Sequence, residues 1–479
     1  MHKRVKAQKE NIKKFKLLGA FFSSDRDFFR EVKNIRGHAK NENSVIDGLT
    51  ENGEIAQKFT TLYRELFNSN PSNTSELFSM METLCQNIKT DSSSLDDCLV
   101  TIEQMREAIN RLKCEKKDGV YDTIASDHFI NATDSFYDKL LVCVLFSKCL
   151  LHGYMPGAMI LSTLVPIPKD NNDMQSSEKY RGIALSAICN KLFEYIILLK
   201  YGHMLCAGDL QFAYKADSST KQCTWMAREV ITYYNNNGSD VYSCLLDCSK
   251  AFDRIRHDKL LRKLVSKGLP PVITRSLMNM YVNSQVRVKW KNVFSEPFNA
   301  TNGVKQGSVI SPILFTLCLD DLIDELEDNG DGCWIGKQFY GIVGFADDLK
   351  LLSPSLLGLQ RMLDICKTFS DSTGLVFNAR KTMCIKFHHG NHTDVEQYPI
   401  YLGHDKLVWC NQVKHLGHIF NCCVDFAADV SNRKGQFIGC VNNIISQFGF
   451  AHPACKVRLL VTHGYSFYGS SLWNLYGND

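Results

Sequence analysis

The stretch "VGFADDLKLL", residues 343–352, sets two adjacent carboxylates, Asp347 and Asp348, inside an otherwise apolar run. Its flanks predict strand, turn, strand over "YGIVGFADDLKLLS". Successive strand residues point to opposite faces, so neighbouring aspartates can serve one site only where the chain turns between strands. In such a hairpin Asp347 leads towards the site, and Asp348 supports it or binds at its edge. An acidic surface turn is the ordinary meaning of a two-residue match, so the reading depends on what else the chain supplies.

A hundred residues earlier, "YSCLLDCSKAFDRIRHDKLL" (242–261) ends an apolar strand on Asp247, whose carboxylate emerges where a cleft can form. Two carboxylates about 4 Å apart repel by about 4 kcal/mol at an effective dielectric of 20. A cluster of Asp247, Asp347 and Asp348 therefore calls for cations, and hard divalent ions suit oxygen ligands. A pair of Mg²⁺ ions on such carboxylates fits in-line phosphoryl transfer.

The chain can build a large core. It has 479 residues, 44% hydrophobic and 22% charged, which excludes disorder throughout and predicts two or three subdomains. The start, "MHKRVKAQKENIKKFK", has no apolar signal core, and nothing later approaches a run of about 18 apolar residues. An intracellular protein, nuclear or cytoplasmic and not secreted, is expected. The 19 cysteines are scattered without a C-x-x-C pair, so a zinc ribbon is not supported and most read as buried thiols. Net charge is +4, but residues 1–50 hold twelve Lys or Arg against six Asp or Glu. That basic arm reads either as a solvated helix face or as a phosphate-binding or nuclear-targeting segment.

Along the chain, "DRDFFREVKNIRG" and "GEIAQKFTTLYRELF" carry helical spacing, followed by the polar "NSNPSNTSE" and the linker "TDSSSLDD". Helices are predicted for "DKLLVCVLFSKCLLHG" and "ALSAICNKLFEYIILLKY", and strands for "MILSTLVPIPKD", "VYSCLLD" and "QVRVKW". The helix "SPILFTLCLDDLIDELEDN" precedes the acidic hairpin, and "LGLQRMLDICKTFSDSTG" follows it. "LVFNARKTMCIKF" reads as turn plus strand, "HLGHIF" as one short strand, and everything beyond Asp425 as helix. The mixture predicts an α+β body.

The order of these elements resembles the palm of reverse transcriptases, above all those of non-LTR (LINE-type) retrotransposons. "LLDCSKAFDRIRH" is similar to the first catalytic motif of that family, "NGVKQGSVISPILFTLCLDDL" to the second, and "GFADDLKLL" to the third. "GLVFNARKT" and "KHLGHIF" resemble later palm motifs; "LVPIPKD" and "EKYRGIALSAICNKLFE" resemble fingers motifs. The flanks "FFREVKNIRG", "IAQKFTTLYRELF" and "HPACKVRLLVTHGYSFYGSSLWNL" match too, so the likeness covers nearly the whole chain.

The resemblance implies a right-hand polymerase with a helical N-terminal extension: a basic lead-in and linker (1–95), fingers (96–225), palm with the catalytic site (226–420) and a partial helical thumb (421–479). It implies an RNA-directed DNA polymerase extending a primer 3′-hydroxyl with deoxynucleotides on an RNA template, using two Mg²⁺ ions, with Mn²⁺ able to substitute. Asp247 and Asp347 would hold the metals and Asp348 would be the weaker third carboxylate. Phe252 would be the steric gate, a flat ring beneath the sugar that leaves no space for a 2′-hydroxyl; core packing is its ordinary reading. Gln306 and Gly307 would approach the nucleotide, where a plain helix-capping turn is the alternative. Arg181, as a fork, and Lys169, as a point charge, would meet the triphosphate, and Lys381 would protonate the leaving pyrophosphate.

Two departures from the family stand out. "YRGIALS" has Gly182 where a proline usually follows the arginine, which removes a rigid φ. The endonuclease and C-terminal part common in LINE-type proteins are not in this sequence, so a truncated or domesticated copy that binds nucleic acid without polymerising is the second expectation. A viral RNA-dependent RNA polymerase is the closest rival among polymerases, disfavoured by Phe252 and by the flanking segments.

Overall fold

A computed structural model of the chain describes residues 2–36, 45–70, 72–90, 94–121, 124–132, 142–169, 174–390, 398–465 and 470–473. The chain forms two compact bodies, one of residues 44–389 and 394–410 and one of residues 1–43, 390–393 and 411–479. The fold is α+β.

The larger body carries two sheets. Strands β1 (Leu161–Pro168), β2 (Tyr180–Ser186), β3 (Val241–Asp247), β4 (Gln285–Trp290), β5 (Ile342–Phe345), β6 (Asp348–Ser353), β7 (Met383–Phe387) and β8 (Val408–Trp409) are its main ones. The first sheet runs β2-β1-β4, extended by Val293–Phe294 and with Phe298–Asn299 also paired to β4. In the second sheet the order is β8-β7-β3-β6-β5. There β3 and β6 are antiparallel central neighbours, with Asp247 directly opposite Asp348. Past Asp348 every residue of β6 is buried, as expected of a strand covered on both faces.

Helices α1 (Asn52–Leu66), α2 (Ile188–Tyr201), α3 (Ser311–Asp328) and α4 (Leu356–Thr373) follow from apolar stripes at helical spacing. Helix α4 packs on β6 and β3, holding the second sheet from one side, while α1 packs on β4. The α1 contact is aromatic: Phe59 lies 5.1 Å from Tyr180 and 5.2 Å from Trp290, ring centre to ring centre.

Two expectations need correction. Ala184–Ser186, read as the start of a helix, belong to β2, paired with β1 from Tyr180 to Ser186; the helix begins only at Ile188. The ladder to β1 outweighs the helical preference of "ALSA". "HLGHIF", read as one strand, is the turn and second arm of a hairpin, Gln412–His415 with His418–Asn421. Leu416 and Gly417 both take positive φ at its two-residue loop.

The polar run "NSNPSNTSE", taken as the end of a lead-in, is partly built into the larger body. Asn70 Nδ2 donates to the carbonyls of Arg254 and Thr373, and its N–H donates to Asn302 Oδ1. Gly374, at φ +78°, leaves the space that the Asn70 side chain uses.

In the smaller body, helices His2–Ser23 and Asp25–Arg36 share an apolar core with Ala427–Phe448 and Pro453–His463, built on Leu17, Phe28, Phe448 and Leu459. The closing "NLYGND" lies outside the described residues, as does the start of "DKLLVCVLFSKCLLHG". Every cysteine is a free thiol. Among the described residues no helix is long and apolar enough to cross a membrane.

Candidate active site

Antiparallel pairing of β5 with β6 sets Phe345 opposite Asp348, so Ala346 and Asp347 form a two-residue loop. Ala346 takes φ +56°, uncommon for a residue with a Cβ. Gln211, wholly buried, holds that peptide from both sides: its Oε1 accepts from Ala346 N–H at 2.8 Å, and its Nε2 donates to the Ala346 carbonyl at 3.2 Å. Sequence reading missed Gln211, because a lone glutamine in "LQFAYK" has no pattern to mark it.

The loop and the end of β3 bring Asp247, Asp347 and Asp348 into one electrostatic neighbourhood. Burial raises Asp347, and the charge of Asp247 adds to the rise, against Arg181, which lowers it. Asp348 is solvent-accessible yet crowded by surrounding protein. That partial desolvation, with the charges of Asp347 and Asp247, pushes it up to about 6.

Residues 374–382 pin Asp247. Asn378 N–H donates to its carbonyl at 2.8 Å, and its own N–H donates to Thr382 Oγ1 at 3.3 Å. The same segment carries Lys381, whose Nζ lies 3.8 Å from Asp247 Oδ2.

A cationic group lies beside the carboxylates. Pairing of β1 with β2 sets Ile167 opposite Arg181, and Lys169 N–H donates to the Lys179 carbonyl at the open end of the pair. Lys169 is lowered by burial and then by the positive charges of Lys250, Lys381 and Arg181. Lys250, which sequence reading did not single out, sits at φ +51° in the turn after β3.

The loop before α3 docks on β2. Ala184 N–H donates to the Gln306 carbonyl at 2.7 Å. Gly307 has φ +123°, and a Cβ there would lie 2.4 Å from the Ala184 carbonyl oxygen. Only glycine satisfies both conditions. Gly182 answers to space as well: a Cβ on it would meet Leu164 at 2.8 Å and the Tyr63 ring at 2.9 Å. Phe252 is half-buried and stacks on Phe315 of α3 with centroids 4.2 Å apart, so it packs against the core while part of it stays exposed.

Beneath the loop lies Glu194 of α2, fully buried and pushed up by that burial. It accepts from Val309 N–H at 2.6 Å, Ser308 Oγ at 2.8 Å and Asn190 Nδ2 at 2.8 Å. Lys305, buried and lowered to about 8, feels its charge and donates to the Ile160 carbonyl. An acidic residue inside the apolar "NKLFEYIILL" was the available signal for it. Replacing Glu194 by Ala strands several buried donors, at about 1–3 kcal/mol each. We expect a clear fall in thermal midpoint for Glu194→Ala, checked by calorimetry, and a smaller one for Glu194→Gln.

Of the residues selected from the motifs, Asp247, Asp347, Asp348, Arg181, Lys169 and Lys381 share one electrostatic neighbourhood at the ends of β1, β2, β3 and β6, while Gln306 and Gly307 lie in the loop docked on β2 and Phe252 packs on α3. Among the described residues no group of three or more His, Cys, Asp or Glu side chains is placed to hold a metal ion.

Residues 167–420 match the family described as reverse transcriptase (RNA-dependent DNA polymerase), over more than half of the chain. The chain belongs to that family. It is 27% identical over 251 residues to a retrovirus-related Pol polyprotein from the type-1 retrotransposable element R2 of Nasonia vitripennis, covering 52% of this chain and 24% of that one. It is 22% identical over 355 residues to an RNA-directed DNA polymerase from the mobile element jockey of Drosophila funebris, covering 71% of this chain and 37% of the relative. The chain thus spans well under half the length of these relatives. A solved telomerase from Candida tropicalis, in complex with a fragment of telomeric RNA, aligns with 70% of this chain and 58% of its own at 13% identity and a TM-score of 0.41.

Proposed function

We propose that the chain is an RNA-directed DNA polymerase that extends a primer 3′-hydroxyl with deoxynucleotides on an RNA template, as part of a retrotransposon-derived protein working inside the cell. The observation that carries this reading is the pairing of Asp247 with Asp348 across β3 and β6, with Asp347 in the adjoining loop and a group of cations beside them.

Asp247 and Asp347 would hold divalent ions, and Asp348, with its raised affinity for a proton, would be the weaker ligand. Bound Mg²⁺, two ions per site or Mn²⁺ in its place, would activate the primer hydroxyl and neutralise charge on the leaving pyrophosphate. Arg181 grips phosphate oxygens as a planar fork, and Lys169 and Lys250 add point charges that draw the triphosphate in. Lys381 Nζ carries the proton for the leaving group. Phe252 sits against the sugar, and Gln306 with Gly307 lines the nucleotide's other side. On this reading residues 96–225 act as fingers, 226–420 as palm and 421–479 as thumb.

The test is incorporation of deoxynucleotides by purified protein on an RNA template with a DNA primer and Mg²⁺. Preference for ribonucleotides, or incorporation no greater than that of an Asp347→Ala variant, overturns the reading. A second expectation concerns the gate. Shortening Phe252 to Val opens space for a 2′-hydroxyl, so discrimination against ribonucleotides should fall on the order of 10–100-fold, measured as the ratio of kcat/KM values. Phe252→Tyr, which keeps the ring, should hold discrimination near the wild-type value.

A further inference from the structure

Asp253 follows the gate residue directly and is buried, at 8% exposure for the residue as a whole. Both of its carboxylate oxygens accept from Gln306 Nε2, each at 3.0 Å. The backbone around it is tied in place: its carbonyl accepts from Asn302 Nδ2 at 2.6 Å, and its N–H donates to the Lys250 carbonyl at 3.0 Å. An ionised carboxylate only accepts, so it selects the NH₂ end of the Gln306 amide and turns Oε1 away from itself.

We infer that Asp253 is a positioning residue for nucleotide binding: it holds the Gln306 amide with nitrogen inward, so that Oε1 is the atom offered to a hydroxyl donor on the sugar of the incoming nucleotide. The inference rests on the polymerase reading and deepens it. Gln306 touches the substrate, and Asp253 acts through Gln306. A fixed acceptor favours sugars that carry a 3′-hydroxyl over those that lack one, because only the former can satisfy it.

The charge of Asp253 then matters. Burial raises its carboxyl to about 7, against the favourable charges of Lys250, Arg254 and Arg181 and the Gln306 hydrogen bond. Lys169, at the end of β1, and Tyr63, on α1, also face it electrostatically. Above pH 7 the ionised carboxylate holds the amide in the productive sense. Below pH 7 a protonated Asp253 can itself donate to Oε1, which removes the selection between the two amide orientations and withdraws the acceptor from the nucleotide. The KM for deoxynucleotides should therefore rise as pH falls through about 7.

The test is a double-mutant cycle on Asp253→Ala and Gln306→Ala, with Asp253→Asn as a near-isosteric variant that does not titrate. Steady-state incorporation gives kcat and KM for deoxynucleotides and for dideoxynucleotides between pH 6 and 8. Equilibrium binding of a fluorescent deoxynucleotide to the protein with primer–template and Ca²⁺ gives an affinity that needs no turnover. Asp253→Ala should raise KM about tenfold with a small change in kcat and lower the preference for the 3′-hydroxyl sugar; in the Gln306→Ala background it should add less than about twofold. Asp253→Asn should flatten the dependence of KM on pH.

A wild-type chain that incorporates nucleotide, but in which the two substitutions act independently or the pH dependence survives Asp253→Asn, overturns the positioning role alone. A wild-type chain that neither incorporates nor binds nucleotide overturns the proposed function and the positioning role together. If Asp253→Ala does not fold, Asp253→Asn and Gln306→Ala carry the test through the pH profile and the sugar preference.

Discussion

Asp347→Ala is expected to lower RNA-templated incorporation by about a thousandfold or more while leaving the protein folded. The charge that builds up in phosphoryl transfer is stabilised by several kcal/mol through metal ions, and about 4 kcal/mol corresponds to about a thousandfold in rate. The strained residue of the hairpin loop is Ala346, and its peptide is held by Gln211, not by the aspartate. Removing one of several mutually repelling carboxylates relieves a cost that the fold carries at neutral pH. Calorimetry of the metal-free protein should therefore show a thermal midpoint for Asp347→Ala no lower than wild type, with primer extension at background. Substantial incorporation by this variant would remove the aspartate from the chemistry.

Gly307→Ala should also damage activity strongly, though less than Asp347→Ala, and for a different reason. At φ +123° a Cβ is strained, and it would lie 2.4 Å from a backbone oxygen of β2 that cannot rotate away. Backbone strain of this kind costs about 1–3 kcal/mol. The clash adds to it, and the simplest relief parts the loop from β2 by breaking the Ala184 N–H to Gln306 carbonyl bond. Gln306 then moves with the loop. A displacement of about 1 Å at a positioning group can cost about a hundredfold in rate. We expect kcat/KM for deoxynucleotides to fall by about that factor and the thermal midpoint to drop, measured by steady-state kinetics and calorimetry. Unchanged kinetics would mean that the close approach of this loop to β2 has no part in nucleotide binding.

Much of the candidate site could be read from residue order, because its signals are local. Apolar strands that end on carboxylates, as at Asp247 and Asp347, are visible in windows of a few residues. The hairpin at Ala346 and Asp347 and the strand at Val241–Asp247 appear in the structure as expected. Gly307 was picked out for close approach to the nucleotide, whereas its close approach to the Ala184 carbonyl came only with the fold.

Other parts depend on contacts between distant segments. Gln211 holds Ala346 from 135 positions away, and Glu194 holds Ser308 from 114 positions away. Neither pairing has a period or a spacing in the sequence. Ala184–Ser186 went to a strand against their local preference because β1 supplied the ladder. The polar run around Asn70 reads as the end of a lead-in until its amide is found between two carbonyls of the body.

The sequence by itself carried the family, through the likeness of its motifs, and the α+β class and the neighbouring carboxylates, through alternation, turn chemistry and acidic residues at strand ends. Tertiary structure alone decided how those groups are held and which unmarked residues hold them. Gln211, Glu194 and Asp253 act through buried hydrogen bonds, and a buried polar group takes its meaning from the partner that satisfies it. That partner is chosen by packing in three dimensions, so the acidic loop of "VGFADDLKLL" was legible and the glutamine that fixes its shape was not.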